Sequence, residues 1–219
     1  GLNLTESEAC DFLETKRVKK TSIKTSEDVV LNSVGHDLCD RFFRFYTKKQ
    51  WGLDLSELSA GVAARIPTRC NDDDRYFTDV YQFMPVSGYT KMFEKMIESN
   101  NIDLCLEKDF SVVKDDALWE KMIYTGPIDE YFNYCYGKLP YRSLSFEHQH
   151  YNSKKHYQSS ATINYPNDHD YTRITEFKYI TNQKVAGTSI VKEYPTAAGD
   201  PYYPIPRPEN SKLYAKYKK

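Results

Sequence analysis

Leu139-Pro140-Tyr141-Arg142-Ser143-Leu144-Ser145-Phe146-Glu147 opens the part of the chain in which every second position tends to be apolar, and three later runs keep that rhythm. They are Tyr157 to Tyr165, Tyr171 to Tyr179 and Thr188 to Tyr194, joined by polar turns around Asn167-Asp168 and Asn182. A period of two predicts strands, and strands this close in sequence pair mostly antiparallel. Working toward the N-terminus, Tyr76 to Met84 alternates as a further strand, while Ile102 to Leu106 and Met122 to Thr125 read as short buried strands, the latter entering the turn Gly126-Pro127. Between them Tyr89, Met92, Phe93, Met96 and Ile97 fall at helical spacing.

The first third has a different period. Ser26 can cap a helix, Glu27 and Asp28 suit its positive end, and Leu31, Val34, Leu38, Phe42 and Phe45 recur at three- and four-residue steps, with Gly35 dividing the run in two. Ser56 to Ala64 reads as helix or loop, and Pro67 forces Ile66 out of helical geometry. Flanked by Gly52 and Gly61, this stretch is the expected mobile lid. Residues 1–25 hold two weaker helical stretches. The fold class is therefore α+β: a helical portion with its lid at 1–74, then 75–219 with short helices and a twisted, mostly antiparallel sheet of about six strands.

Composition narrows the function. A hydrophobic fraction of 40% can build a core, and nineteen tyrosines exceed what a core takes, so some should face ligand or water. Thirty basic residues against thirty-one acidic, with no basic stripe, exclude nucleic acid as a partner. No apolar run approaches the ~20 residues needed to span a bilayer. Five cysteines without a C-x-x-C pair read as free thiols in a reducing cytosol, which predicts a cytoplasmic protein. His148-x-His150 has no further ligand at the right spacing, so no metal is expected. Neither G-x-G-x-x-G nor G-x-x-x-x-G-K-[ST] occurs, so any flavin or nicotinamide cofactor must be bound mainly by residues outside this chain. The start at Gly1 and the stop inside the helix-like run Glu209 to Lys219 read as cuts within a longer protein.

The candidate binding residues come in short motifs. Tyr46-Thr47-Lys48-Lys49-Gln50-Trp51-Gly52 sets two flat rings beside hydroxyl and amide groups, which suits a nucleobase and its sugar, although spacing alone favours core packing at a helix end. Arg65-Ile66-Pro67-Thr68-Arg69, followed by Tyr76-Phe77, can clamp a diphosphate, because a guanidinium matches phosphate oxygens bidentately; a surface arginine paired with Asp72 to Asp74 is the alternative. Asn164 and Arg173 lie on adjacent strand candidates and either face one cleft or reach solvent. Pro201-Tyr202-Tyr203-Pro204 puts two phenols in an extended segment.

In order, these motifs, together with Tyr124-Thr-Gly-Pro-Ile-Asp129, Tyr141-Arg-Ser-Leu144, Tyr171-Thr-Arg-Ile174 and Lys192-Glu-Tyr-Pro195, resemble UDP-galactopyranose mutase from about Ser26 to Pro204. The resemblance implies an isomerase that interconverts UDP-galactopyranose and UDP-galactofuranose and requires reduced FAD. It implies Arg65 on the lid and Arg173 on the sheet as the two cations against the diphosphate, with Tyr76 and Tyr203 hydrogen-bonding it and Tyr202 beside them. Phe42, Tyr46, Thr47 and Trp51 match the uridine pocket, and Asn164 an asparagine near substrate and flavin. The implied partners are UDP-galactose, the flavin-binding domain of the same parent chain and, in a dimer, a second copy. The missing flavin fingerprint implies that the chain alone does not turn over. The competing readings are an amine-oxidase-like flavin oxidoreductase and a non-catalytic UDP-binding module.

Overall fold

The computed structural model describes residues 3–114 and 119–218. Helix α1 (Glu6–Lys16) begins at Thr5, whose hydroxyl accepts from the Glu8 amide while the Glu8 carboxylate accepts from the Thr5 amide. Thr25 and Asp28 repeat that reciprocal cap at the start of α2 (Ser26–Leu38). The break expected at Gly35 is present: its φ is 76°, and the Lys16 carbonyl oxygen lies 2.0 Å from where a Cβ would stand. A π-helical turn, Cys39–Arg44, leads into α3 (Phe45–Trp51), which ends on Gly52 in the left-handed conformation. Arg44 ties that turn down through Asp40 and Glu27. A short 3-10 turn at Leu55–Glu57 and α4 (Gly61–Ala64) follow. Leu13, Val30, Leu31, Val34, Cys39, Leu55 and Ala63 close a core among these helices.

One expectation fails here. Cys10 on α1 and Cys70 beyond α4 form a disulfide, with Cα atoms 5.3 Å apart, while Cys39, Cys105 and Cys135 are free. The partners are separated by 60 residues, so no short motif announces them, and only the packing of α1 against the stretch after α4 brings them together. With that pair bonded, the cysteines no longer argue for a reducing compartment. No helix among the described residues is long and apolar enough to cross a membrane.

The middle of the chain holds α5 (Gly88–Met96), α6 (Phe110–Val113) and α7 (Ile128–Tyr131). α5 lies where its spacing predicts, yet none of its residues is buried. Tyr76 to Met84, Ile102 to Leu106 and Met122 to Thr125 do not form strands. Alternation marks a segment that could pleat, but a strand needs a neighbour to receive its backbone hydrogen bonds, and these segments reach no sheet edge. Their apolar side chains, Val80, Tyr81, Phe83 and Ile123 among them, stay largely exposed.

The four C-terminal strands form as expected, the first and last running past their expected ends to Tyr151 and Thr196 and the middle two shorter, and a fifth, at Tyr203–Pro204, joins them unforeseen. β1 (Tyr141–Tyr151), β2 (Thr162–Asn164), β3 (Arg173–Glu176), β4 (Thr188–Thr196) and β5 (Tyr203–Pro204) make one sheet in the order β2-β3-β4-β1-β5, every pair antiparallel. The sheet has five strands rather than about six, because the three segments upstream contribute none. After Glu176 the chain turns into α8 (Phe177–Thr181) instead of continuing as strand to Tyr179. α9 (Pro208–Tyr217) closes the chain, with its buried Tyr217 hydroxyl donating to the Gly137 carbonyl at 2.6 Å and accepting from the Tyr136 amide at 3.0 Å. Glu176 is fully buried, and its carboxylate accepts from the amides of Tyr157 and Gln158 and from the Thr188 hydroxyl, binding the long β1–β2 connection to the sheet. Helix α3 packs on β4 and so joins the helical portion to the sheet.

Candidate functional site

Residues directly opposite one another on paired strands project to the same face. The register therefore sets Asn164, Arg173, Glu193 and Phe146 in a single row across β2, β3, β4 and β1. Arg173 is the centre of that row. Its Nε lies 3.5 Å from a Glu193 carboxylate oxygen, and its Nη2 donates to the Tyr46 hydroxyl of α3. The Nε itself is shielded from solvent and makes no hydrogen bond among the described residues. Burial disfavours the charged guanidinium, but Tyr46, Glu193 and Tyr203 outweigh it and hold the Arg173 pKa above its ordinary value. Burial likewise pushes the Glu193 carboxyl up, with Arg173 pulling it back.

Helix α3 positions the rest. Tyr46, Lys49 and Gln50, at steps of three and four, make one stripe, and each has a contact with the sheet portion or its turns. Thr47 and Gln50 are buried, and the Gln50 Oε1 has no partner among the described residues. Arg142 of β1 donates from Nε to the Gln50 carbonyl at 3.1 Å and from Nη2 to the Lys49 carbonyl at 3.4 Å, satisfying two of the acceptors that a helix end leaves open. The Lys49 Nζ lies within hydrogen-bond reach of the carbonyls of Tyr165, Asp168, His169 and Tyr171, all in the β2–β3 turn, so its three N–H donors are shared among four acceptors. Burial lowers its pKa, while Asp168 and Asp170 oppose that shift.

Aromatic rings edge the same face. Trp51 meets Tyr203 with ring centroids 6.1 Å apart and planes at 66°, and Tyr203 stands opposite Arg142 in the register. Tyr202 meets Phe146 edge-on at 5.9 Å. Of the residues singled out in the sequence, the structure thus brings Tyr46, Trp51, Asn164, Arg173, Tyr202 and Tyr203 around one side of the sheet, with Thr47 buried in α3 behind them. Phe42 stands apart on the π-helical turn, 60% exposed.

Arg65 caps the end of α4, exposed and without an ion pair among the described residues. Of the aspartates near it, Asp73 pairs with other arginines: it binds Arg75 at 2.8 and 3.1 Å and lies 4.0 Å from Arg69, which drops its pKa to about 2. Tyr76, edge-on to Phe77, lines an open hollow of about 260 Å³ with Ile66, Pro67, Arg69 and Arg75. Arg65 and Arg173 share no partner among the described residues. Sequence reasoning passed over Lys49, Arg142 and Glu193, although all three stand inside motifs quoted above; helical spacing from Tyr46 was the available signal for Lys49.

The family model described as UDP-galactopyranose mutase matches residues 41–219, a span holding every candidate residue named above. The chain is 40% identical over 199 residues to a probable UDP-galactopyranose mutase of Klebsiella pneumoniae, covering 89% of this chain and 51% of that protein. It is 34% identical over 201 residues to the dTDP-fucopyranose mutase of Escherichia coli, covering 87% and 53%, and 32% identical over 199 residues to the UDP-galactopyranose mutase of Mycoplasma genitalium, covering 82% and 49%. It spans about half the length of the curated relatives it matches. A match of the family model over most of the chain, with a relative 40% identical over 89% of it, means that this chain belongs to the UDP-galactopyranose mutase family.

Proposed function

We propose that this chain carries the sugar-nucleotide surface of an enzyme that interconverts UDP-galactopyranose and UDP-galactofuranose. The observation that carries the reading is Arg173: a guanidinium held charged by Tyr46 and Glu193, with its Nε shielded from water yet free of hydrogen bonds, on a face edged by Trp51, Tyr202 and Tyr203. A diphosphate leaving group gathers negative charge as its bond to the sugar breaks, and a fixed cation lowers the energy of that state more than a mobile one. Arg173 supplies that cation from the sheet. Arg65 supplies a second from the lid, and its exposure, with that of Phe42 and Tyr76, is what an open lid would leave. Tyr203 and Tyr76 donate to the diphosphate with Tyr202 beside them; Phe42, Tyr46, Thr47 and Trp51 hold the uracil; Asn164, next to Arg173 in the row, faces the sugar.

The family implies FAD, but these residues do not fit it. No glycine-rich turn opens a helix here, and no flavin contact or flavin step is assigned to this chain. In this reading the flavin-binding domain belongs to the remainder of the parent chain and packs on the exposed apolar stretch that includes Val80, Phe83 and Ile123. The division at residue 74 belongs to the same proposal.

A second reading has one observation behind it: the relative named dTDP-fucopyranose mutase, which is similar over most of this chain. Both readings are tested on the full-length protein with reduced FAD and either UDP-galactopyranose or dTDP-fucopyranose. Furanose product from the UDP sugar, without an electron acceptor, is the expected result. Product from the dTDP sugar alone would transfer the assignment to that substrate, and a requirement for an acceptor would point to an oxidoreductase instead.

A further inference from the structure

Four backbone carbonyls converge on the Lys49 ammonium, and all four come from one seven-residue turn, 165–171, between β2 and β3. Lys49 has no carboxylate partner among the described residues, whereas its neighbour Lys48 pairs with Asp54 on the surface. The two ends of the clamped turn matter more than its middle. Asn164 immediately precedes it, Arg173 follows it after Thr172, and the two face each other in the register. The clamping residue sits one helical turn after Tyr46, the residue that receives the Arg173 guanidinium. The turn has one further side-chain anchor on this side, Asn167 Nδ2 donating to the Arg41 carbonyl at 3.0 Å. Without the ammonium, those inward-pointing carbonyls would repel one another and swing toward water.

We propose that Lys49 is a positioning residue: by gathering the carbonyls of the β2–β3 turn onto α3 it fixes the height of Arg173, and of Asn164 beside it, relative to Tyr46 and Trp51. It touches no substrate and acts through Arg173. The proposal rests on the sugar-nucleotide reading of the site. An ammonium suits the task because its three donors rotate about a point charge and can be shared among the four carbonyls, whereas a guanidinium presents its donors in a fixed planar fork.

The experiment uses the full-length protein, with UDP as the probe. Lys49→Met should weaken UDP binding about tenfold, since a displacement of about 1 Å in a positioned group has effects of that order or larger. Lys49→Arg, which keeps the charge and is expected to fold, should recover only part of it. Lys48→Met, which removes a charge from the same helix, should bind as the wild type does. In an Arg173→Ala background the Lys49→Met change should have almost no further effect on UDP affinity, because the group it positions is gone. Fully additive losses, or unchanged affinity in Lys49→Met, would overturn the proposal. A second measurement stands apart from the ligand: amide exchange at Tyr165 and Thr172, whose N–H groups flank the turn, should accelerate in Lys49→Met. If wild type fails to bind UDP, the functional reading fails; if exchange at those amides is also unchanged, the clamp fails on its own account.

Discussion

The guanidinium of Arg173 donates to the phenolic oxygen of Tyr46 across 127 residues of sequence, and this one contact joins the helical portion to the middle of the sheet's polar row. It also gives the candidate site its fixed positive charge.

Arg173→Ala in the full-length protein is expected to weaken UDP binding by about 1.5–3 kcal/mol, the range for losing a hydrogen bond to a charged group. Tyr46→Phe, which removes only the acceptor, should cost about 1 kcal/mol. Calorimetric titration with UDP measures both. An Arg173→Ala protein with wild-type affinity would remove the diphosphate assignment.

Glu176 predicts an acid-sensitive fold. Burial by itself would raise its pKa, but the Thr188 hydroxyl and the amides of Gln158 and Tyr157 outweigh burial and hold it below the ordinary carboxylate value. A depressed pKa contributes stability that is present above the unfolded-state value and disappears as pH falls through the folded-state value. Glu176→Gln should therefore cost about 1–3 kcal/mol at neutral pH and show a flatter acid limb in urea melts taken from pH 7 downward. Parallel acid limbs for the two proteins would contradict this.

Breaking the Cys10–Cys70 bond should destabilise the helical portion. Closing a loop of 60 residues removes chain entropy worth about 4 kcal/mol from the unfolded state in the loop-entropy account. Denaturation of the Cys70→Ser protein, compared with wild type with and without dithiothreitol, checks it. Wild type in reductant should match the variant.

Gly35→Ala should be among the most damaging single changes outside the site. The residue has φ 76° and ψ −175°, and an added Cβ would meet the Lys16 backbone carbonyl. A region of backbone space open essentially to glycine costs about 1–3 kcal/mol for other residues, before the clash is counted. A lowered melting temperature with unchanged UDP affinity at low temperature is the expected pair of results.

What could be read from sequence was whatever is written locally. The capped helix from Ser26, its break at Gly35 and the strands after Leu139 follow from spacing and from one residue's conformational range, so they appear where expected. The segments from Tyr76 to Thr125 alternate just as well, but alternation records two faces and not a pairing partner, and none is there among the described residues. Arg173 and Asn164 were identified through family resemblance, since spacing alone allowed solvent-facing residues as readily. Lys49 was missed for a related reason: a lysine on a helix reads as a solvated charge until a turn more than 110 residues away closes over it. The disulfide escaped notice because five cysteines at wide intervals specify no pairing.

The row through Asn164, Arg173, Glu193 and Phe146 also determines how this family can vary in length. Adding a single residue within β3 after Arg173 would send the guanidinium to the opposite side of the sheet, while adding two would keep its side but carry it about 7 Å along the strand. Either event separates it from the phenol above. Insertions and deletions should thus collect in connections such as the one after β1 and be purged between residues 173 and 176, where four consecutive positions act as a ruler.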